Sequence, residues 1–322
     1  MMPARLNWLA PALAALVLLA LPLWLSPYAQ GLVAKIMVYA LFALSLQLLA
    51  GTTGLVSLGH AAFLGVGAYA TVLAAPESGG PALIWLLPAS MLAAAACAFV
   101  VGLLSLRTQG VYFIMVTLAF AQMAFFVFHD TKLAGGSDGL YLYVRPVLAL
   151  GGLTLLDPQD GRQLYLLVWA ALVATYALLA LLLRSRFGHA LAGIRVNEQR
   201  MRAAGYRTQH YKLAAFVIAG SLAGLAGSLL AVKDGVVNPE LLSWHESGAV
   251  LLMLILGGLG HLRGAVIGAV AFTLLKEFLA SEGLVGPLAA HWQLSLGVSI
   301  IVLVAALPRG LLGVRSLWKR HG

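Results

Sequence analysis

Long apolar stretches alternate with short polar ones along the whole chain, and none of the apolar stretches shows period-two alternation. A helix needs about 20 apolar residues to cross a bilayer. Ten stretches qualify or come close: 8–26, 29–50, 59–75, 82–104, 111–129, 163–183, 213–231, 246–260, 264–281 and 291–307, the eighth being short. Lipid offers the backbone no hydrogen-bond partners, so spanning segments are helices or closed barrels, and continuous apolar runs exclude the barrel. The predicted fold is an all-α polytopic membrane protein of about ten transmembrane helices, one or more of them broken or re-entrant. Residues 1–322 form a single transmembrane domain. The start, Arg5 and then an apolar run from Trp8 to Ser26, resembles a signal peptide but lacks a small-x-small cleavage site, and is read as a retained span.

Composition agrees with that pattern. Hydrophobic residues make up 61% of the chain and charged residues 10%, against about 25% charged in soluble domains. The net charge of +9 would point to nucleic acid in a soluble protein. Here the basic residues flank membrane spans, and the tendency of Lys and Arg to stay on the cytoplasmic side accounts for them. No nucleic-acid partner is implied. The single cysteine, Cys97, can form neither an internal disulfide nor a thiolate metal site.

One polar segment is longer than a turn. Residues 184–212, RSRFGHALAGIRVNEQRMRAAGYRTQHYK, hold seven Lys and Arg against one acid, Glu198. Placing this segment in the cytoplasm puts both termini inside, with Arg5, Arg107, Arg263, Arg309, Arg315, Lys319 and Arg320 on the same side. Every acid except Glu198, Glu77 among them, then lies toward the outside. The main outer loop is 130–162, rich in Gly and Asp; a second is 232–245. Within the inner segment, Gly188 is expected to break the sixth span. Residues 189–204 favour a helix that Gly205 ends, with Leu191, Ile194, Met201 and Ala204 as a narrow apolar stripe. Such a helix suits either a groove on a partner protein or a bed of anionic lipid headgroups.

The stretch 51–70, GTTGLVSLGHAAFLGVGAYA, is a poor uniform helix, since glycine costs about 1 kcal/mol against alanine in a helix interior. Broken helices are tolerated where they line a water-filled cavity, and small residues also serve close helix packing. Both readings stand for Ser57, Gly59, His60 and Gly65. SLGHAAFLGVGA, from Ser57, is echoed by GLGHLRGAVIGA, from Gly258, a short match that fits either an internal duplication or a chance likeness of two Gly- and Ala-rich segments. Buried ionisable residues are few, which argues against ion-coupled transport.

Enzyme signatures fail. GGSDG at 135–139 lacks the strand–turn–helix setting of a nucleophile elbow, and Ser57 with His60 has no third group to orient it. No metal motif and no phosphate loop occurs, so no cofactor is expected on this chain and any ATP must act on another subunit.

Three blocks resemble the membrane permeases of branched-chain amino acid ABC importers, in particular their LivM-like members: GLVSLGHAAFLGVGAYA at 54–70, the run from LRTQGVYFIMVTLAFAQ to GGSDGL at 106–140, and 185–231 continuing into LLMLILGGLGHLRGAVIGA at 251–269. The resemblance implies an amino-acid permease of the bacterial inner membrane that works by alternating access. It also implies a second, LivH-like permease, two ATPase subunits that carry the ATP, and a periplasmic substrate-binding protein facing the outer loops. Segment 184–212 would be the coupling loop, a degenerate form of E-A-A-x-x-x-G. With Gly205 as the glycine, Gln199, Arg200 and Met201 depart from the consensus, so coupling is assigned to the region of Arg195, Glu198, Arg200, Arg202, Ala204 and Gly205. Ser57, Gly59, His60, Gly65 and Thr117 are the candidates for the translocation path or its gate. Urea and short amides are alternative cargoes within the family; a stand-alone carrier or channel would be a different class, active without ATP.

Overall fold

The computed structural model describes residues 6–75, 83–150, 153–307 and 310–313. Arg5, Glu77, Arg309, Arg315, Lys319 and Arg320, used above to orient the chain, lie outside the described residues.

Each of the ten expected segments holds a helix. These are α1 (Leu6–Ala20), α2 (Pro27–Leu46), α3 (His60–Ala74), α4 (Leu83–Ser105), α5 (Val111–Asp130), α6 (Gly161–Arg184), then two short helices α7 (Arg186–Val196) and α8 (Glu198–Ala203), followed by α9 (Thr208–Asp234), α10 (Trp244–Gly257), α11 (Leu262–Ala280), the single turn α12 (Glu282–Val285) and α13 (Trp292–Ala306). Among the described residues six helices are long and apolar enough to cross a membrane, or seven if α10 and α11, bent by 115° at the break between them, count as one span. The shortfall has local causes. Pro22 lies in a 3-10 turn at Leu21–Leu23 that follows α1, and the glycine-rich stretch after Gly51 delays α3 until His60, leaving it 15 residues.

Burial sorts the helices into a core and a jacket. The apolar windows of α2 and α9 are 78% and 83% buried, whereas those of α4, α5, α6 and α13 are 17% to 28% buried. α2, α3 and α9 are therefore the centre, and the apolar outer faces of the others suit lipid. Small residues bring the centre together. Gly224 of α9 leaves no room for a side chain between Gly67 of α3 and Ala94 of α4, and Gly227 abuts the Leu64 carbonyl. This is the close approach that small residues permit between membrane helices. The Thr71 hydroxyl adds a polar link, reaching Ser228 Oγ at 2.7 Å. At the periphery, α1 docks on α6 through two side-chain donors: Trp169 Nε1 to the Ala15 carbonyl at 2.9 Å and Tyr165 Oη to the Leu18 carbonyl at 2.7 Å.

The loops between helices carry short strands. β1 (Leu140–Tyr141) pairs antiparallel with β4 (Val236–Val237), and β2 (Leu148–Leu150) pairs with β3 (Leu153–Leu156). The first pairing ties loop 130–162 to loop 232–245, one cap made of two distant parts of the chain.

Candidate transport site and coupling element

The segment 184–212 is not the single helix that 189–204 suggested. The chain turns at Ser185, whose Oγ caps α7 by accepting from Gly188 N at 3.4 Å. Gly188 thus lies inside α7 and does not end α6. It is glycine because a Cβ there would meet the backbone of Leu182 and Leu183, so it lets α7 fold back on α6. Asn197 makes the next break. Its extended backbone (φ −158°, ψ 100°) stops α7, and its side chain caps α8 by accepting from Arg200 N at 2.9 Å. Asn is a preferred N-cap for this reason. Gly205, at φ +87°, follows α8 with an open neighbourhood.

The apolar stripe is real but divided. Leu191 and Ile194 are buried, Met201 folds back onto Gly193, and Ala204 is exposed. Glu198 is the electrostatic centre of the element. It pairs with Arg202 at 2.6 Å, with Lys212 of α9, and accepts from Thr208 Oγ1 at 2.9 Å. Partial burial opposes its charge, but the hydrogen bonds from Lys212, Arg202 and Thr208 outweigh that and hold the carboxyl below its usual value. Glu198 and Arg202 therefore brace α8 against α9. Val196, Gln199, Arg200, Ala203 and Ala204 face solvent, and Val196 is 84% exposed.

The glycine-rich stretch makes an irregular interruption. α2 ends in a π-turn, Gln47–Gly51, and regular structure resumes at His60. Ser57, Gly59, His60, Gly65 and Thr117 are all buried. A Cβ on Gly59 would strike the Thr117 carbonyl, so the non-helical backbone lies directly against α5. Gly65, more than a turn further on, is packed by Leu242. Ser57 Oγ accepts from Gly59 N at 3.2 Å, and Ser247 of α10 caps α3 by accepting from Ala61 N at 2.9 Å. Ser57 and His60 do not pair. Ser45 donates to the Phe42 carbonyl at 2.7 Å, which leaves its oxygen to accept from His60 Nε2 at 2.8 Å. The imidazole stacks on Phe42, with centroids 5.5 Å apart, and meets Phe63 edge-on. Irregular backbone at membrane depth is permitted when protein buries it in this way.

The echoed segment makes a second, tighter interruption. α10 ends at Gly257 and α11 starts at Leu262, with Gly258 and Gly260 at positive φ. The two interruptions meet. Gly260 N and His261 N both face the Gln47 amide, so its oxygen accepts from them at 2.7 and 2.8 Å. The Gln47 side chain lies over Gly51, where a Cβ would collide with it. Arg195 of α7 reaches the same place and donates to the Gly51 carbonyl. Ser45, Gln47 and Ser247 were not singled out by sequence; Ser45 and Gln47 lie in an apolar run and Ser247 at the polar start of α10, and only the third dimension gives each its partner.

Comparison with known proteins decides the class. The sequence profile described as branched-chain amino acid transport system / permease component matches residues 28–307. The chain belongs to this permease family. It is a non-enzymatic, multi-pass membrane permease subunit. The permease is 30% identical over 296 residues to the high-affinity branched-chain amino acid transport system permease protein LivM of Escherichia coli strain K12, covering 86% of this chain and 68% of that one. LivM of Salmonella typhimurium is likewise 30% identical, over 92% of this chain and 72% of its own. LivH of Salmonella typhimurium is 24% identical over 85% of this chain and 91% of its own. No solved structure gives a significant match.

Proposed function

We propose that this permease carries branched-chain or related amino acids across the bacterial inner membrane as one half of an ATP-driven importer. The observation that carries the reading is the match to the LivM proteins over most of both chains. A second, LivH-like permease completes the pathway, two ATPase subunits bind and hydrolyse the ATP, and a periplasmic binding protein delivers the solute. In this arrangement the ten helices cross the membrane in turn with both termini cytoplasmic. α10 and α11, with their N-to-C directions 115° apart, act as two crossings. The exposed knuckle of α7 and α8 seats on an ATPase, and the strand-paired loops face the binding protein. The buried stretch that holds Ser57, Gly59, His60 and Gly65, with Thr117 of α5 against Gly59, is the closed gate of the path. Alternating access follows when the ATPases, closing on ATP, displace the α7–α8 element.

The test is uptake by the five-part complex in proteoliposomes. Labelled leucine should enter only with internal ATP and with the binding protein outside. Isoleucine and valine should compete, and urea and acetamide should not. Accumulation of an amide in place of leucine would reassign the cargo. Solute flux through this chain alone without ATP would overturn the importer reading.

A further inference from the structure

We infer that Arg195 is the transmission residue of this permease: its guanidinium links the α7–α8 element to both helix interruptions, so that motion of the element reaches them together. The inference rests on the coupling role proposed above for α7 and α8, but gives Arg195 a different task from docking.

Three observations converge on one point. Arg195 donates to the Gly51 carbonyl, the last of the π-turn. Its Cγ lies 3.6 Å from where a Cβ on Gly54 would be, and its Nη1 lies 3.6 Å from where a Cβ on Gly260 would be. Gly54 and Gly260 both have positive φ, at +76° and +91°, and present bare backbone to the arginine. Gln47, in the same π-turn as Gly51, accepts from Gly260 N and His261 N at the start of α11. A chain of contacts therefore runs from α7 to Gly51, along the π-turn to Gln47, and on to the α10–α11 junction.

Physical chemistry gives that chain its stiffness. The final carbonyls of a helix lack partners within it, and a cation placed there is favoured by the helix dipole. Hydrogen bonds from a charged donor are roughly twice as strong as neutral ones. Leu191, one turn before Arg195 on the same helix, and Ile194 beside it are buried, so α7 moves as a packed body and not as a loose loop. The π-turn at the end of α2 is the compliant partner, since π-turns are rare and recur at functional sites. Displacing α7 therefore pulls on Gly51, re-forms the turn, and carries Gln47 and the α11 N-terminus with it. Arg195 keeps an exposed outer side, but its inner contacts set its role.

The experiment uses the complete complex carrying Arg195→Ala, Arg195→Lys or Gln47→Leu. Three quantities are read: ATPase subunits that co-purify, ATP hydrolysed with loaded binding protein present, and solute imported per ATP. Arg195→Ala should retain the ATPases and lower import per ATP by about tenfold, within the usual range of a coupling factor. Arg195→Lys, which keeps the charge but loses the planar fork, should fall between. Gln47→Leu should behave as Arg195→Ala does, and the double variant should be no worse than the poorer single, as expected for two links of one chain. Loss of the ATPases in proportion to import would make Arg195 a docking residue and overturn the inference. So would unchanged import per ATP. If Arg195→Ala fails to fold, Arg195→Lys decides: a lowered ratio supports transmission and an unchanged one overturns it. A native complex that does not couple import to ATP would sink the function proposed above, an outcome distinct from either.

Discussion

Two interruptions in this protein end on the same three residues, Leu-Gly-His, at 58–60 and 259–261. Both precede a helix, yet little else about them agrees. Gly59 sits at φ −100° and Gly260 at +91°. His60 has no exposed surface and is fixed by Ser45, Phe42 and Phe63, whereas His261 is exposed and Leu259 is 43% exposed. The first helix start is capped by a side chain from α10, Ser247; the second is capped by one from α2, Gln47. Each interruption is thus completed by the helix that leads into the other. The tripeptide marks a place where a helix begins. What surrounds it decides whether that place is a packed pivot or an open hinge.

The sharpest way to break the comparison is to add a side chain to each glycine. Gly59→Val would drive a branched side chain into the α5 backbone and should cost about 3 kcal/mol or more, the upper end for overpacking. Gly260→Ala has room and bears only the cost of positive φ, about 1–2 kcal/mol. Thermal unfolding in detergent should show Gly59→Val poorly folded and Gly260→Ala folded with a lowered Tm; equal damage would mean the two sites are packed alike.

The caps come next. Gln47→Leu removes the acceptor of two backbone N–H groups, Gly260 and His261, and should cost about 1–3 kcal/mol, roughly 0.5–1.5 for each hydrogen bond lost. Ser247→Ala strands one, Ala61, and should cost ~1 kcal/mol. A reversed order in chemical unfolding would refute the amide orientation given to Gln47. The histidines separate by a smaller margin. His60→Leu should lose about 1 kcal/mol with its bond to Ser45, and His261→Leu less than about 0.5, as expected for an exposed residue. Matching losses would argue that His261 is packed in the assembled transporter.

The smallest effect is electrostatic and serves as a control outside the interruptions. The folded state holds the Glu198 carboxyl below its ordinary value of 4.5. Its contribution is therefore present at neutral pH and is lost as pH falls below 4.5 through the folded value. Glu198→Gln should lower stability by about 0.5–1 kcal/mol near pH 7, as expected for partly exposed ion pairs, and the difference from the native protein should vanish in acid. A difference that grows on acidification would mean that the ion pairs do not stabilise α8.

Hydropathy made the six long helices legible because each carries its own signal over about 20 residues. It could not show that α1 and α3 stop short, since Pro22 and the glycines after Gly51 act on backbone conformation and not on polarity. Asn197 was legible in principle: an Asn followed by Glu, Gln and Arg reads as a cap, but the apolar stripe on either side masked it. Gly188 misled in the opposite direction, because glycine breaks helices and also lets them approach. The contacts of Gln47, Ser247 and Arg195 had no local signal at all. The strand pair Leu140–Val237 joins residues almost a hundred positions apart and is two residues long, too brief to leave a periodic trace.

The bonds from Trp169 and Tyr165 to the Ala15 and Leu18 carbonyls bear on how the protein is made. Ala15 and Trp169 are 154 residues apart. At a synthesis rate of about 5–20 residues per second, roughly 10–30 seconds separate the two. For that interval α1 is in the translocation machinery or the bilayer with its docking partner still untranslated. Its final position is set not when it is inserted but when α6 arrives, so α1 is made well before it can be seated.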